Sequence, residues 1–248
     1  MRIDDGAFDL GPTSARVGVL CLHGLTGTPY EVRPPALALA ADGHHCVGPL
    51  LPGHGETPLA LSRTSYRAWV EVVEAACDAL SEQHDRVYVL GLSMGGVLAL
   101  HLGASRSVAG LVVLAAPLRL GLAVRASVPW LRRLVRFVPK TPAIEDPIAR
   151  SRHPGYDRMP LDAVRELMEL QRQVAAQLGQ VRAPVRLIYS RRDPSVRPGE
   201  AGRILRGLAS PDRSVVWLER SRHVLPVDLE RERVSNEVVD FLRRLERH

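Results

Sequence analysis

At 248 residues, 46% hydrophobic and 24% charged, the chain is long enough to bury a sizeable core in one domain and too apolar to be disordered. Its net charge of +6 is carried by arginine, with Lys140 the one lysine, and is interleaved with Asp and Glu, so no nucleic-acid partner is expected. Cys21, Cys46 and Cys77 read as buried thiols, the start Met1-Arg2-Ile3-Asp4-Asp5 lacks a signal-peptide pattern, and no apolar run would span a bilayer, which together lead us to expect a cytoplasmic protein.

Val17 to Leu22 is a continuous apolar run, as in a strand covered on both faces. It ends in His23-Gly24-Leu25-Thr26-Gly27-Thr28-Pro29. A glycine-rich turn after a central strand leaves backbone N–H groups free to bind an oxyanion, with Leu25 as the donor, although a plain strand-to-helix turn has the same composition. A helix is expected from about Tyr30 to Ala41, stopped by Asp42-Gly43. His44 and His45 precede the next strand; neighbours in a strand face opposite ways, so they are read as structural and not as a shared metal site. His54 lies in a loop of turn formers from Pro49 to Pro58. As a base it would precede the serine identified below, so it is read as a hydrogen-bonded strut. Ser65 should cap a helix that buries Trp69, Val70, Val73, Cys77 and Leu80.

The stretch Val87 to Ala99 carries the clearest chemistry. Val87 to Leu90 read as a strand and Val97 to Leu102 as a helix, with Gly91-Leu92-Ser93-Met94-Gly95 between them. This is a G-x-S-x-G elbow in the strand-turn-helix setting that lifts a serine out of the sheet. Ser93 is the candidate nucleophile, and the Met94 N–H, at the helix start, is a second candidate oxyanion donor. A helix N-cap serine after a glycine turn is the plainer alternative.

Leu111 to Ala115 is another buried strand, and the alternation of strands and helices points to a mostly parallel α/β sheet flanked by helices. The rhythm then breaks. Residues 118–181 show no strong strand and two helical stretches, Val128 to Val138 and Leu161 to Val181, and are read as a helical cap inserted in a core of residues 1–117 and 182–248. The sheet resumes at Val185 to Tyr189 and again at Ser214 to Leu218. Asp193 and His223 each follow one of these strands, and a final helix buries Val234, Val238, Phe241, Leu242 and Leu245.

Ser93, Asp193 and His223 thus stand in the order expected of an α/β-hydrolase triad. With His23-Gly24-Leu25-Thr26-Gly27, Leu51-Pro52-Gly53-His54-Gly55, Gly91 to Gly96, Arg192-Asp193 and Ser221-Arg222-His223-Val224, the chain resembles the bacterial carboxylesterase and monoacylglycerol lipase family of α/β-hydrolases. Arg222, where members often carry glycine, and Pro194, directly after the acid, depart from the pattern. The resemblance implies hydrolysis of short- to medium-chain esters or monoacylglycerols, with Ser93, Asp193 and His223 as triad and Leu25 and Met94 as oxyanion donors. No cofactor or metal is required, and the expected partner is a small-molecule ester. The same triad also serves thioesterases, lactonases, C–C bond hydrolases and acyltransferases, and a ligand-binding protein on the same fold is an alternative of another class. In the cap, Trp130, Leu131 and Leu134, with Leu167 and Met168, are candidates to line an acyl tunnel; packing of the helix on the body is the blander reading, and the short basic face gives little reason to expect membrane contact.

Overall fold

The computed structural model describes residues 5–247. The first half runs β1 (Phe8–Leu10), β2 (Val17–Leu22), α1 (Arg33–Ala41), β3 (His45–Gly48), α2 (Pro58–Ser62), α3 (Tyr66–Gln83), β4 (Arg86–Leu92), α4 (Met94–Ser105) and β5 (Gly110–Leu114). The stretch after β5 then holds α5 (Leu122–Leu131), β6 (Phe137–Pro139), α6 (Pro147–Arg152), β7 (Arg158–Pro160) and α7 (Leu161–Gln177). The chain ends with β8 (Val185–Ser190), α8 (Gly199–Gly207), β9 (Arg213–Leu218) and α9 (Arg231–Glu246). Seven strands form one sheet in the order β1-β3-β2-β4-β5-β8-β9, parallel throughout except for the antiparallel edge pair β1–β3.

The central strands are apolar along their whole length because both faces are covered. In β2, Leu20 and Leu22 pack on one side of the sheet and Val19 and Cys21 on the other; in β4, Val87 and Val89 oppose Tyr88, Leu90 and Leu92 in the same way. Trp69, Val73, Cys77 and Leu80 of α3 cover the first side, and Val234, Val238, Phe241 and Leu242 of α9 cover the second. Cys21, Cys46 and Cys77 are buried and unpaired as disulfides. Among the described residues, no helix is long and apolar enough to cross a membrane.

Several expectations need correction. Ser65 sits at the N-cap of α3, but its side chain makes no capping bond. The cap helix placed at 128–138 runs from Leu122 to Leu131 instead. Pro129 cannot donate to the preceding turn, the chain tightens at once through Arg133 N–H to Trp130 O and Leu134 N–H to Leu131 O, and Phe137–Pro139 leave as a strand paired with Arg158–Pro160. A short run of apolar and arginine residues fits either period, and here the pairing decided. The following helix ends at Gln177 and not at Val181. Its Ala163, Leu167, Leu170 and Val174 join the same core as the sheet, so this part of the inserted stretch is packed as firmly as the body.

The tightest point lies around the end of β4. A methyl group on Gly95 would press into the carbonyl oxygen of Leu22, and one on Gly91 into the carbonyl of Gly95. Gly95→Ala is therefore expected to lower the unfolding free energy by roughly 1–3 kcal/mol or more, measured by urea titration; wild-type stability would show that the strand-helix junction relaxes freely.

Candidate active site

Ser93 occupies the one-residue turn between β4 and α4 with φ 55° and ψ −114°, a conformation that normally suits glycine. Holding a serine there costs on the order of 1–3 kcal/mol. The surroundings enforce it: Ser93 N–H donates to Leu114 O at 2.8 Å, and Gly91, Gly95 and Gly96 leave no room for another path. The hydroxyl is thereby presented at the carboxyl end of the sheet.

His223 comes from the loop after β9. Its backbone N–H and that of Val224 both donate to Ala143 O, at 2.9 and 3.1 Å, which fixes the loop against the inserted stretch. His223 Nδ1 lies 2.7 Å from Asp193 Oδ2, and Nε2 lies 2.9 Å from Ser93 Oγ. A carboxylate only accepts, so Nδ1 carries the proton and Nε2 of the neutral ring is left to accept from the serine. The Asp193 side chain is fully buried, and its other oxygen accepts from Ser195 N–H at 2.7 Å and Val196 N–H at 3.0 Å. Those two bonds aim Oδ2 at the imidazole.

Asp228, another acid close to the His223 loop, makes no such contact. Its buried carboxylate accepts from the N–H groups of Glu145, Asp146, Arg222 and Leu229 and so ties the His223 loop to the loop that carries Ala143. Glu230 does the same one step upstream, accepting from Arg220 and Ser221 N–H. Arg222 turns away to Glu145, 3.4 Å from Nε, so its charge beside the base is offset.

The His23–Thr28 turn passes over Ser93: a Cβ on Gly24 would lie 3.4 Å from that of Ser93. Gly24 N–H donates to the buried Glu31 Oε2 at 2.9 Å, and Thr26 takes a positive φ of 66°. Leu25 therefore sits beside Ser93 on a pinned loop, while Met94 is the first residue of α4, where N–H groups lack an intrahelical acceptor. Glu31 went unnoticed in the sequence, where it is one acid at a helix entry. Burial opposes its ionisation, but His153 Nε2 at 2.8 Å, His23 and Gly24 N–H outweigh this and bring its pKa to about 2. His54 is a strut: Nδ1 faces the carbonyls of Leu51 and Pro52, the ring packs against His23 and Trp69, and burial, with His23 adding to it, pulls its pKa to about 3. His44 and His45 bind separate partners, Glu246 for the first and Asp9 and His84 for the second.

Ser93 and His223 open on a cavity of about 400 Å³. Its apolar wall comes from Val128 and Leu131 of α5 and Leu161, Val164 and Leu167 of α7. Leu131 and Leu167 thus line it as expected, and three other candidates do not. Trp130 is 70% exposed and Leu134 85% exposed: Trp130 falls on the outward side of α5, and Leu134 lies beyond the end of that helix at Leu131. Met168 packs behind the wall, against the Val128, Leu161 and Val164 cluster.

The sequence profile of the family described as serine aminopeptidase, S33, matches residues 13–230. The chain belongs to that family. This hydrolase is 30% identical over 238 residues to a thermostable monoacylglycerol lipase of Bacillus sp. (strain H-257), spanning 95% of this chain and 94% of that one. It is 28% identical to a carboxylesterase of Bacillus subtilis (strain 168), spanning 92% and 93%. A solved structure from work on LipS and LipT, two metagenome-derived lipolytic enzymes, superposes with a TM-score of 0.88 at 27% identity, covering 98% of both chains. The fold is that of the α/β-hydrolases, and the chain is a serine hydrolase of the esterase and lipase kind.

Burial disfavours the protonated form of His223, but the Asp193 carboxylate, assisted by Glu31 and opposed by Lys140, overcomes it and raises the pKa above the usual histidine value. A histidine acts as a base only when its ring is neutral, so with His223 as the candidate base kcat/KM should fall as pH drops through that raised pKa, with a midpoint above ~6.5. A pH–rate profile with an activated ester checks this; a rate that stays flat from about pH 5 to 8 would remove His223 as the base.

Proposed function

We propose that the protein hydrolyses carboxylic esters of short to medium acyl chains, or monoacylglycerols, through an acyl-enzyme on Ser93. The observation that carries this reading is the continuous Ser93–His223–Asp193 hydrogen-bonded chain at the floor of an apolar cavity. His223 Nε2 takes the Oγ proton as Oγ bonds to the acyl carbon. The N–H groups of Leu25 and Met94 bind the oxyanion, and collapse of the intermediate expels the alkoxide, which takes the proton back from His223. Water then repeats the sequence on the acyl-enzyme, with His223 again as base, and frees the acid. Asp193 stays ionised and stabilises the imidazolium. Residues 118–181 act as a cap whose Val128, Leu131 and Leu167 hold the acyl chain.

The wall also argues for esters over peptides, even though the family takes its description from an aminopeptidase. A free amino terminus needs a carboxylate whose charge is not already balanced, and the charge of Glu31, the acidic residue lining the cavity, is opposed by Lys140 in the same lining.

Ser93→Ala should keep the fold and lower ester turnover by roughly 10³-fold or more, and Asp193→Asn should be strongly impaired because the amide lets His223 hold the wrong tautomer. Circular dichroism and steady-state kinetics on p-nitrophenyl esters decide; a folded Ser93→Ala protein with near wild-type turnover would end the proposal. Within the cavity, each buried CH₂ of substrate contributes up to ~0.8 kcal/mol, so Leu131→Ala should reduce kcat/KM for octanoyl esters more than for acetyl esters. Leu134→Ala, outside the cavity, should leave that ratio unchanged. Equal losses on both chain lengths in Leu131→Ala would make Leu131 a packing residue only.

A further inference from the structure

The charge of the chain is unevenly placed. From Leu118 to Ile144 every charged residue is cationic (Arg119, Arg125, Arg132, Arg133, Arg136 and Lys140), and together they equal the net charge of +6, so the rest of the chain is neutral in sum. Arg132 is paired with Asp162 at 2.7 Å, and Lys140 is part of the cavity lining. Arg125, Arg133 and Arg136 have no carboxylate partner among the described residues, and Arg133 lies over the Trp130 ring, 5.3 Å from its centre.

The same segment carries the apolar surface. A helix at 128–138 with its apolar side on the body gives little reason for membrane contact, but the helix runs from Leu122 to Leu131 and buries only Val128. Among the described residues, six of the eleven exposed large apolar side chains stand here: Leu122, Val124, Trp130, Leu131, Leu134 and Val135. Exposure is thus concentrated in one segment, unlike the single-residue scatter of an ordinary surface. Val124 and Leu131 also line the cavity over Ser93, so its apolar wall continues onto this face.

The charges decide what covers such a face. A second copy of the chain would bring like charges together. A nucleic acid would leave leucine and valine against phosphate, since Trp130 is the one ring among the six on which a base could stack. An anionic lipid surface satisfies both parts: aliphatic side chains enter between the headgroups, a tryptophan sits at the boundary, and arginines reach the phosphates. We propose that the face formed by residues 122–136 docks on an anionic lipid surface, with Trp130 and Leu134 inserted and Arg125, Arg133 and Arg136 paired with lipid phosphates. Docking itself does not rest on the ester-hydrolase reading. Taken with that reading, it sets the cavity against the phase in which apolar esters collect.

Flotation on a density gradient tests this with vesicles of equal parts phosphatidylglycerol and phosphatidylcholine, and with vesicles of phosphatidylcholine alone. The wild type should float with the first and not with the second. Binding should weaken as salt rises from about 0.1 M to about 1 M and the screening length falls from ~10 Å to ~3 Å. Arg133→Gln with Arg136→Gln should weaken it roughly thirtyfold, and Trp130→Ser with Leu134→Ser roughly tenfold or more, while circular dichroism of both proteins stays that of the wild type. Arg16→Gln with Arg67→Gln, which removes as much charge from exposed positions outside the segment, should bind like the wild type. No flotation with the anionic vesicles, equal flotation with both kinds, or wild-type binding by the Trp130 and Leu134 double variant overturns the proposal. So does an equal loss in the Arg16 and Arg67 double variant, which would reduce the effect to net charge. Without flotation, a dimer that the Trp130 and Leu134 changes abolish, or binding of single-stranded DNA that the Arg133 and Arg136 changes abolish, would instead assign the face to a second copy or to nucleic acid.

Discussion

The candidate active site depends on how closely the backbone approaches itself around Ser93. The turn from β4 into α4 passes within contact of the Leu22 and His23 carbonyls at Gly95 and of the Ala116 side chain at Gly96, and Gly91 lies under the first turn of the helix. Only residues without side chains fit these three places. The serine pushed into the remaining position takes a backbone conformation it would not choose, and the strain is balanced by the packing of two complete core layers on either side of the sheet. Presentation of the Ser93 hydroxyl and rigidity of its support therefore have one cause.

A second constraint is the set of buried carboxylates around that turn. Asp193, Asp228, Glu230 and Glu31 each accept backbone N–H groups of the surrounding loops, and together they satisfy donors that irregular chain would otherwise leave buried and unpaired. Asp193 sends its remaining oxygen to His223, Asp228 joins the His223 loop to the loop of Ala143, and Glu31 pins the Gly24 turn. The inserted stretch is held by the same means, through His153 on Glu31, Lys140 on Thr26 and Tyr156 N–H on Thr26 O. The loop that carries Leu25, the proposed oxyanion donor, and the stretch between β5 and β8 are thus coupled through a few polar contacts, so changes in one should be felt in the other.

Much of this was legible in the sequence, for local reasons. The apolar runs at Val17, Val87, Leu111 and Val185 are strands because both faces are buried, and the turn chemistry after each run marks the sheet edge where Ser93, Asp193 and His223 meet. The histidines at 44, 45 and 54 were read as structural, and their partners agree. What stayed hidden depends on tertiary contact. Phe8–Leu10 is a strand only because β3 offers it an edge, and Phe137–Pro139 only because Arg158–Pro160 pairs with it. Glu31, Lys140, Asp228 and Glu230 carry no local signature, since a buried carboxylate that accepts from distant loops looks in sequence like any solvated acid. Leu134 was misplaced because helical periodicity does not show where a proline-containing helix stops, and Trp130 because it does not show which side of the helix meets the body.

The central claim is that the Ser93 hydroxyl is the attacking group. Titration with a fluorophosphonate, followed in parallel by residual esterase activity and by mass spectrometry of the peptide containing Ser93, tests it most directly. The account predicts that activity disappears in step with one-for-one modification of Ser93. Full activity in protein modified at Ser93, or complete inactivation with Ser93 untouched, would contradict it.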